Sequence, residues 1–198
     1  KITNYQKYLI WYYKTLHKYF IDSENHFYAI GIPAQNGLAE LKKAGMQHQH
    51  DTLLADFVKT ADNFVETGLN FPKHEVNFEQ SIIAPSVEFL LEMYQITRNP
   101  AYLNEGEKQL KSLETFAGEQ PDFKLNGIAI RHWDGYWFGK RQFWGDIMPH
   151  YWSTITSEVF YRYAQITNNE IYKEKACNIV RNNLCLFFED GSASCAYI

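Results

Sequence analysis

Apolar and aromatic residues recur at three- and four-residue spacing through most of the chain, the period of an amphipathic helix. Tyr5, Tyr8, Leu9, Tyr12, Leu16, Tyr19 and Phe20 form one such stripe. Leu54, Phe57, Val58, Ala61, Phe64 and Val65 form a second, with Gly68 as its stop. A third helix is predicted from about 81–85 to 97, with Pro85 in its first turn, where a missing N–H costs least. A fourth runs from Pro100 to about 116, with proline again at a helix start. The fifth covers about 150–167. The sixth covers about 169–188 and is stopped by Asp190-Gly191. Only short extended pieces are expected, at 26–32, 126–138 and 193–198.

Two of these helix pairs repeat. Residues 88–102 read EFLLEMYQITRNPAY and residues 158–172 read EVFYRYAQITNNEIY, an offset of 70 residues. Each copy is a long helix, a tight turn beginning at Thr97 or Thr167, and a second helix. Between the copies, residues 117–149 form a long connector, and 21–49 read as another. Connectors of that length are uncommon in compact domains unless they are functional. Helical hairpins joined by long loops describe an all-α fold of the α/α toroid kind, with ligands bound at the mouth where the loops gather. The six expected helices make about three hairpins. The chain is therefore expected to be a single α-helical domain, 1–198, forming an incomplete portion of a toroid. A smaller solenoid, or copies that associate, are the alternatives.

Composition narrows the function. With 19 Lys and Arg against 23 Asp and Glu, the net charge is -4. That disfavours a nucleic-acid partner or a polybasic membrane anchor. No window is apolar enough for a membrane span. Aromatics reach 17%, enough to line a large core or an aromatic-walled cleft. Cys177, Cys185 and Cys195 lack metal spacing and read as buried thiols.

The chemistry concentrates in residues 131–152, RHWDGYWFGKRQFWGDIMPHYW. Four of the five tryptophans fall there: Trp133, Trp137, Trp144 and Trp152. Interleaved with them are Arg131, His132, Asp134, Lys140, Arg141, Asp146 and His150. Aromatic faces suit the C–H faces of sugar rings, and the ionisable groups suit hydroxyls or an acidic sugar. A second constellation, PKHEVNFEQ at 72–80, offers His74, Glu75 and Glu79 just before the third helix. Acidic residues there also serve as ordinary caps. The repeat places the two constellations before equivalent helix starts, so they are expected to converge on one cleft. Two carboxyl groups facing one bond are what glycosidic cleavage needs. Asp134 and Asp146, with Glu79 third, are the leading acid–base candidates. A lyase alternative uses His150 with Tyr151 as base and Arg131 or His132 as neutraliser of a uronate. A third reading is a non-catalytic glycan-binding or helical-repeat module. Glu88 and Glu158 are expected to hold a loop. At His48-Gln49-His50-Asp51, Asp51 reads as a helix N-cap more readily than as part of a metal site. No metal and no cofactor is expected. No phosphate loop and no GxSxG elbow is present.

At HEVNFEQSIIAPSVEFLLEMY (74–94) and RHWDGYWFGKRQFWGDIMPHYWS (131–153), the chain resembles the six-hairpin glycosidase superfamily. Within it, the resemblance is to the bacterial glucuronidase-like glycoside hydrolase family 154. It implies an α/α toroid acting on uronic-acid-containing oligosaccharides or polysaccharides, in the cytoplasm or periplasm of a bacterium. Members of that family are about twice this length, so the resemblance also implies a C-terminal-side portion that lacks an N-terminal half and is inactive alone.

Overall fold

The computed structural model describes residues 3–22, 34–68, 80–114, 117–118, 129–130, 136–137, 140–141 and 153–194. Within these the protein is all-α. The helices are α1 (Asn4–Asp22), α2 (Ala34–Lys43), α3 (Gln47–Thr67), α4 (Gln80–Thr97), α5 (Pro100–Leu113), α6 (Ser153–Thr167) and α7 (Glu170–Asn183). Two ribbons of two-residue strands lie between α5 and α6 in sequence. In the first, β1 (Ala117–Gly118) pairs antiparallel with β2 (Ala129–Ile130). In the second, β3 (Tyr136–Trp137) pairs antiparallel with β4 (Lys140–Arg141).

Six of the helices form three hairpins, α2–α3, α4–α5 and α6–α7, and each turns on one left-handed residue. These are Gly45 (φ 72°), Arg98 (φ 61°) and Asn168 (φ 55°). At the first turn, the Met46 N–H reaches back to the Leu41 carbonyl and the Gly45 N–H to the Lys42 carbonyl, a Schellman closure. The second and third turns match at the 70-residue offset. Thr97 Oγ1 donates to the Met93 carbonyl (2.7 Å), and Thr167 Oγ1 to the Tyr163 carbonyl (2.8 Å). Asn99 Oδ1 accepts from the Ala101 N–H and Asn169 Oδ1 from the Ile171 N–H, both at 3.1 Å. Each asparagine thus caps the second helix of its hairpin. The helix limits Thr97/Thr167, Pro100/Glu170 and Leu113/Asn183 keep the same offset.

The hairpins stack through α4, which is apolar nearly all round and buried on both sides, as such a helix must be. One flank carries Phe89, Leu90 and Met93, packed with Leu41, Leu53, Phe57 and Phe64 of α2 and α3. The Phe89 ring meets Phe57 and Phe64 edge-on, with centroids 5.9 and 5.8 Å apart. The other flank carries Ile83, Ala84, Val87 and Leu91, packed with Val159, Phe160, Tyr163 and Ala164 of α6 and Tyr172 of α7. Between α4 and α5, buried Ser86 donates to Gln109 Oε1 (2.7 Å) and Gln109 donates to Glu105 (3.2 Å).

Several expectations change. Residues 21–49 are not one long connector, because α2 lies inside them and α3 begins at Gln47. Asp51 is therefore the fifth residue of α3 and not its cap; it accepts from Gln47 Nε2 (2.7 Å) and meets His50 Nδ1 (2.8 Å). Pro85 is the sixth residue of α4, one turn deeper than predicted. Helix α5 ends at Leu113 and α7 at Asn183, each short of its predicted end. Beyond α7 the chain tightens into a 3₁₀ turn, Leu184–Leu186, then reverses at Gly191 (φ 84°) so that Phe187 bridges Ala193. Cys185 is exposed and Cys177 half-buried, so neither is a buried thiol; Cys195 lies outside the described residues.

Candidate functional site

Helices α4 and α6 lie side by side, and a charged cluster fills their seam. Arg162 projects from α6 between the hairpins. Its Nη1 lies 3.3 Å from Glu92 Oε1 and its Nη2 3.5 Å from Glu88 Oε1, both on α4. Glu158, one turn back on α6, is 3.6 Å from Nη2. Nη1 also reaches Gln95 Oε1 (3.3 Å) and Gln35 Oε1 (3.5 Å). Glu92 is buried, and its second oxygen accepts from the Gln35 backbone N–H at 3.2 Å. That donor is in the first turn of α2, where free N–H groups favour an anion. One guanidinium therefore ties together all three hairpins. The Arg162 Nε finds no acceptor among the described residues.

Three carboxyl groups share this one cation, and the imbalance shows in the protonation of Glu88 and Glu92. Burial and then the nearby Glu158 charge push Glu88 up to about 7, with Arg162 opposing. Glu92 is raised by burial, against the pull of the Gln35 N–H and Arg162. Tyr12 of α1, beside the same cluster, is held protonated by burial and the Glu92 charge. A carboxyl poised near neutrality can donate or accept a proton in catalysis. Ion networks inside a fold perturb carboxyls in the same way, and here Glu88 meets Arg162 across the packing seam while Glu158 meets it along α6. The loops that these two glutamates were expected to hold lie outside the described residues.

The seam also fixes the direction of the helices. Arg162 and Glu92 are equivalent in the two repeats and meet each other; Glu158 and Glu88 are equivalent and also meet. Two level pairs, ordered alike, make α4 and α6 parallel, with their N-termini at one end. The segment 72–80 runs into Gln80, and the segment 131–152 runs into Ser153. Both chemistry-rich segments therefore feed the same end of neighbouring helices.

Of the predicted site residues, Trp137, Lys140 and Arg141 belong to the small β3–β4 ribbon. Its register sets Trp137 directly opposite Lys140 and Tyr136 opposite Arg141. His74, Glu75, Glu79, Arg131, His132, Trp133, Asp134, Asp146, His150 and Trp152 lie outside the described residues. Among the described residues, no three His, Cys, Asp or Glu side chains gather as a metal site, and no helix is long and apolar enough to cross a membrane.

No family model and no curated protein matches the chain. A solved structure does: it is a polysaccharide lyase, similar at 53% sequence identity with a TM-score of 0.78. The match covers 94% of this chain and 28% of the lyase chain. The present chain thus spans under a third of the length of that protein.

Proposed function

We propose that this chain is the helical portion of a polysaccharide lyase acting on a uronic-acid-containing glycan. The observation that carries the reading is the 53% identity to a polysaccharide lyase over 94% of the chain. At that identity, the likeness extends beyond a shared fold. It favours β-elimination over the hydrolysis that the paired carboxyls Asp134 and Asp146 first suggested. The three hairpins are, in this reading, part of an α/α toroid. The cleft lies at the common N-terminal end of α4 and α6, between residues 72–80 and 131–152.

The elimination assigns roles to those residues. A base, His150 or Tyr151, removes the proton from the carbon that bears the uronate carboxylate. The C–O bond at the neighbouring carbon then breaks and a C=C bond forms in the ring. The leaving sugar oxygen takes a proton. Negative charge builds on the carboxylate as the proton departs, so Arg131 or His132 stabilises the transition state more than the ground state. Trp133, Trp137 and Trp152 offer faces to the sugar rings. Lys140 and Arg141 pair with further carboxylates, and His74, Glu75, Glu79, Asp134 and Asp146 bond hydroxyls.

Product chemistry tests the proposal. The longest native polypeptide containing this chain, incubated with uronate polysaccharides, should release unsaturated sugars that absorb in the near ultraviolet. New reducing ends without that absorbance would return the assignment to a hydrolase acting through Asp134 and Asp146. Binding of glycan with no product of either kind would make the protein a recognition module.

A further inference from the structure

Helix α1 packs on α2 and α3 through one face, made by Leu9, Tyr12, Tyr13 and Leu16. The opposite face carries Lys7, Trp11, Lys14 and Lys18 at steps of four, three and four residues, a straight stripe ~16 Å long. All four are exposed. Trp11 is 58% exposed and Tyr8, one turn before it, 65%. The two rings lean on each other, with centroids 5.5 Å apart and planes 43° from parallel.

The stripe is basic and holds no acid. Helix α1 has no Asp or Glu before Asp22. Carboxylates reach it from α2 and α3, but off the stripe: Glu40 accepts from Tyr5, and Asp56 meets His17 (2.7 Å). Among the described residues, the Lys7 and Lys14 ammonium groups have no carboxylate partner.

This face differs from both other kinds in the fold. The exposed positions of α3 mix signs, with Asp51, Lys59, Asp62 and Glu66, and neither α3 nor α5 exposes a Phe, Trp or Tyr. The packing faces are apolar, and the cation sealed between α4 and α6, Arg162, is met by three carboxyl groups. A helix laid over the α1 stripe would take the Lys7, Lys14 and Lys18 ammonium groups out of water, which is costly without matching acids. The stripe fits instead a ligand that offers flat apolar faces and repeated negative charge, as sugar C–H faces and uronate carboxylates do. Single-stranded nucleic acid offers stacking faces and charge as well; the likeness to a polysaccharide lyase favours the glycan.

We propose that this face of α1 is a surface site that holds a uronic-acid-containing polysaccharide, apart from the cleft. Trp11 and Tyr8 stack on sugar rings, and Lys7 and Lys14, one turn to either side of Trp11, pair with carboxylates along the polymer. A polymer held there raises the local concentration of bonds at the cleft. The ligand rests on the glycan reading above, and the site does not depend on which reaction the cleft performs.

Affinity electrophoresis of the longest native polypeptide, in gels containing polygalacturonate, alginate or hyaluronan, tests the site. Trp11→Ala, and Lys7→Gln combined with Lys14→Gln, alter exposed side chains and should leave Tm within about 3 °C. Each should weaken binding to the best-retained polyuronate by about fivefold or more. The initial rate on a short uronate oligosaccharide should stay within about twofold. The same losses of binding in a protein that cleaves no uronate would sink the lyase reading and leave the surface site standing. Unchanged binding in either variant overturns the site, as does no retention by any of the three polymers, or equal retention by a carboxyl-reduced one. A larger fall in Tm for Trp11→Ala would mean that another segment covers the ring, and overturns it. So does tighter binding of oligo(dT) than of any polyuronate, or a dimer that Trp11→Ala dissolves in sedimentation.

Discussion

Replacing Glu88 by glutamine should stabilise the protein above neutral pH and leave it unchanged in acid. The Glu88 carboxyl titrates at about 7 in the fold, against 4.5 for an ordinary glutamate. Between those values the folded chain holds a proton that the unfolded chain has released, so stability falls as pH rises. The contribution is fully present below about 4.5 and is lost as pH passes through about 7. The full shift corresponds to ~3 kcal/mol. A quarter of the Glu88 side chain remains in water, however, and solvent screening brings the expected effect to ~1–2 kcal/mol. Glutamine keeps the shape, never ionises, and removes the repulsion from Glu158. Urea denaturation of both proteins at pH 4.5 and pH 8 measures the difference. The expected outcome is a gain of ~1–2 kcal/mol for Glu88→Gln at pH 8 and nearly none at pH 4.5. An effect of the same size at both values would show that Glu88 is not the titrating group. A loss at pH 8 would show that its attraction to Arg162 outweighs burial and the Glu158 charge.

Three other outcomes are expected. A Cβ at Gly37 would collide with the Tyr12 hydroxyl oxygen, so Gly37→Ala should cost ~1–3 kcal/mol in thermal unfolding; in a Tyr12→Ala background most of that extra cost should vanish. Asn168 holds φ 55° at its turn, so Asn168→Val should cost ~1–2 kcal/mol while Asn168→Gly should be close to neutral, both read by denaturant midpoint. On the proposed lyase reading, with His150 as base, His150→Ala should lower any uronate-cleaving turnover by ~10²–10⁴-fold with little change in Tm. Asp134→Asn and Asp146→Asn should then act mainly on KM, and a comparable loss of kcat in both would restore the hydrolase roles.

The hairpins were legible because α4 to α7 repeat, with Thr97 and Thr167, Asn99 and Asn169, and Tyr102 and Tyr172 in register. Helix α2 was readable but overlooked: Ala34, Leu38 and Leu41 are its buried residues, spaced four and three apart, with Lys42 and Lys43 in its last turn and Gly45 as its stop. It lacks the aromatic stripe that marked the other helices. The Arg162 cluster was much harder to see. Its partners at 35, 88, 92 and 95 become neighbours only once α4 and α6 are known to run parallel and α2 to start at Glu92. The Trp-rich segment was legible as chemistry alone, since its sequence shows no period from which a position can be read.

The repeat does, however, contain the reason the seam is charged as it is. Parallel neighbours related by a repeat bring equivalent positions level with each other. Any charged residue kept in both copies then faces its own kind, which is destabilising at contact distance. At 88 and 158 both copies keep glutamate, and the Glu158 charge adds to burial in raising the Glu88 carboxyl. At 92 and 162 the copies differ in sign, and Glu92 meets Arg162 at 3.3 Å. The opposite pair pins the level of α4 against α6, because a slip of one turn would leave buried Glu92 without its cation, a loss of ~3–5 kcal/mol. Arg162→Glu should therefore be far worse than Arg162→Leu at pH 8, although it restores the repeat. It would bring a fourth carboxyl to Glu88, Glu92 and Glu158 with no cation left among them. Lowering the pH to 5 should narrow the gap between the two variants, since protonation removes the added repulsion and leaves the lost guanidinium common to both. If the gap does not narrow, the level pairing of the two helices is not what sets the charge at these positions.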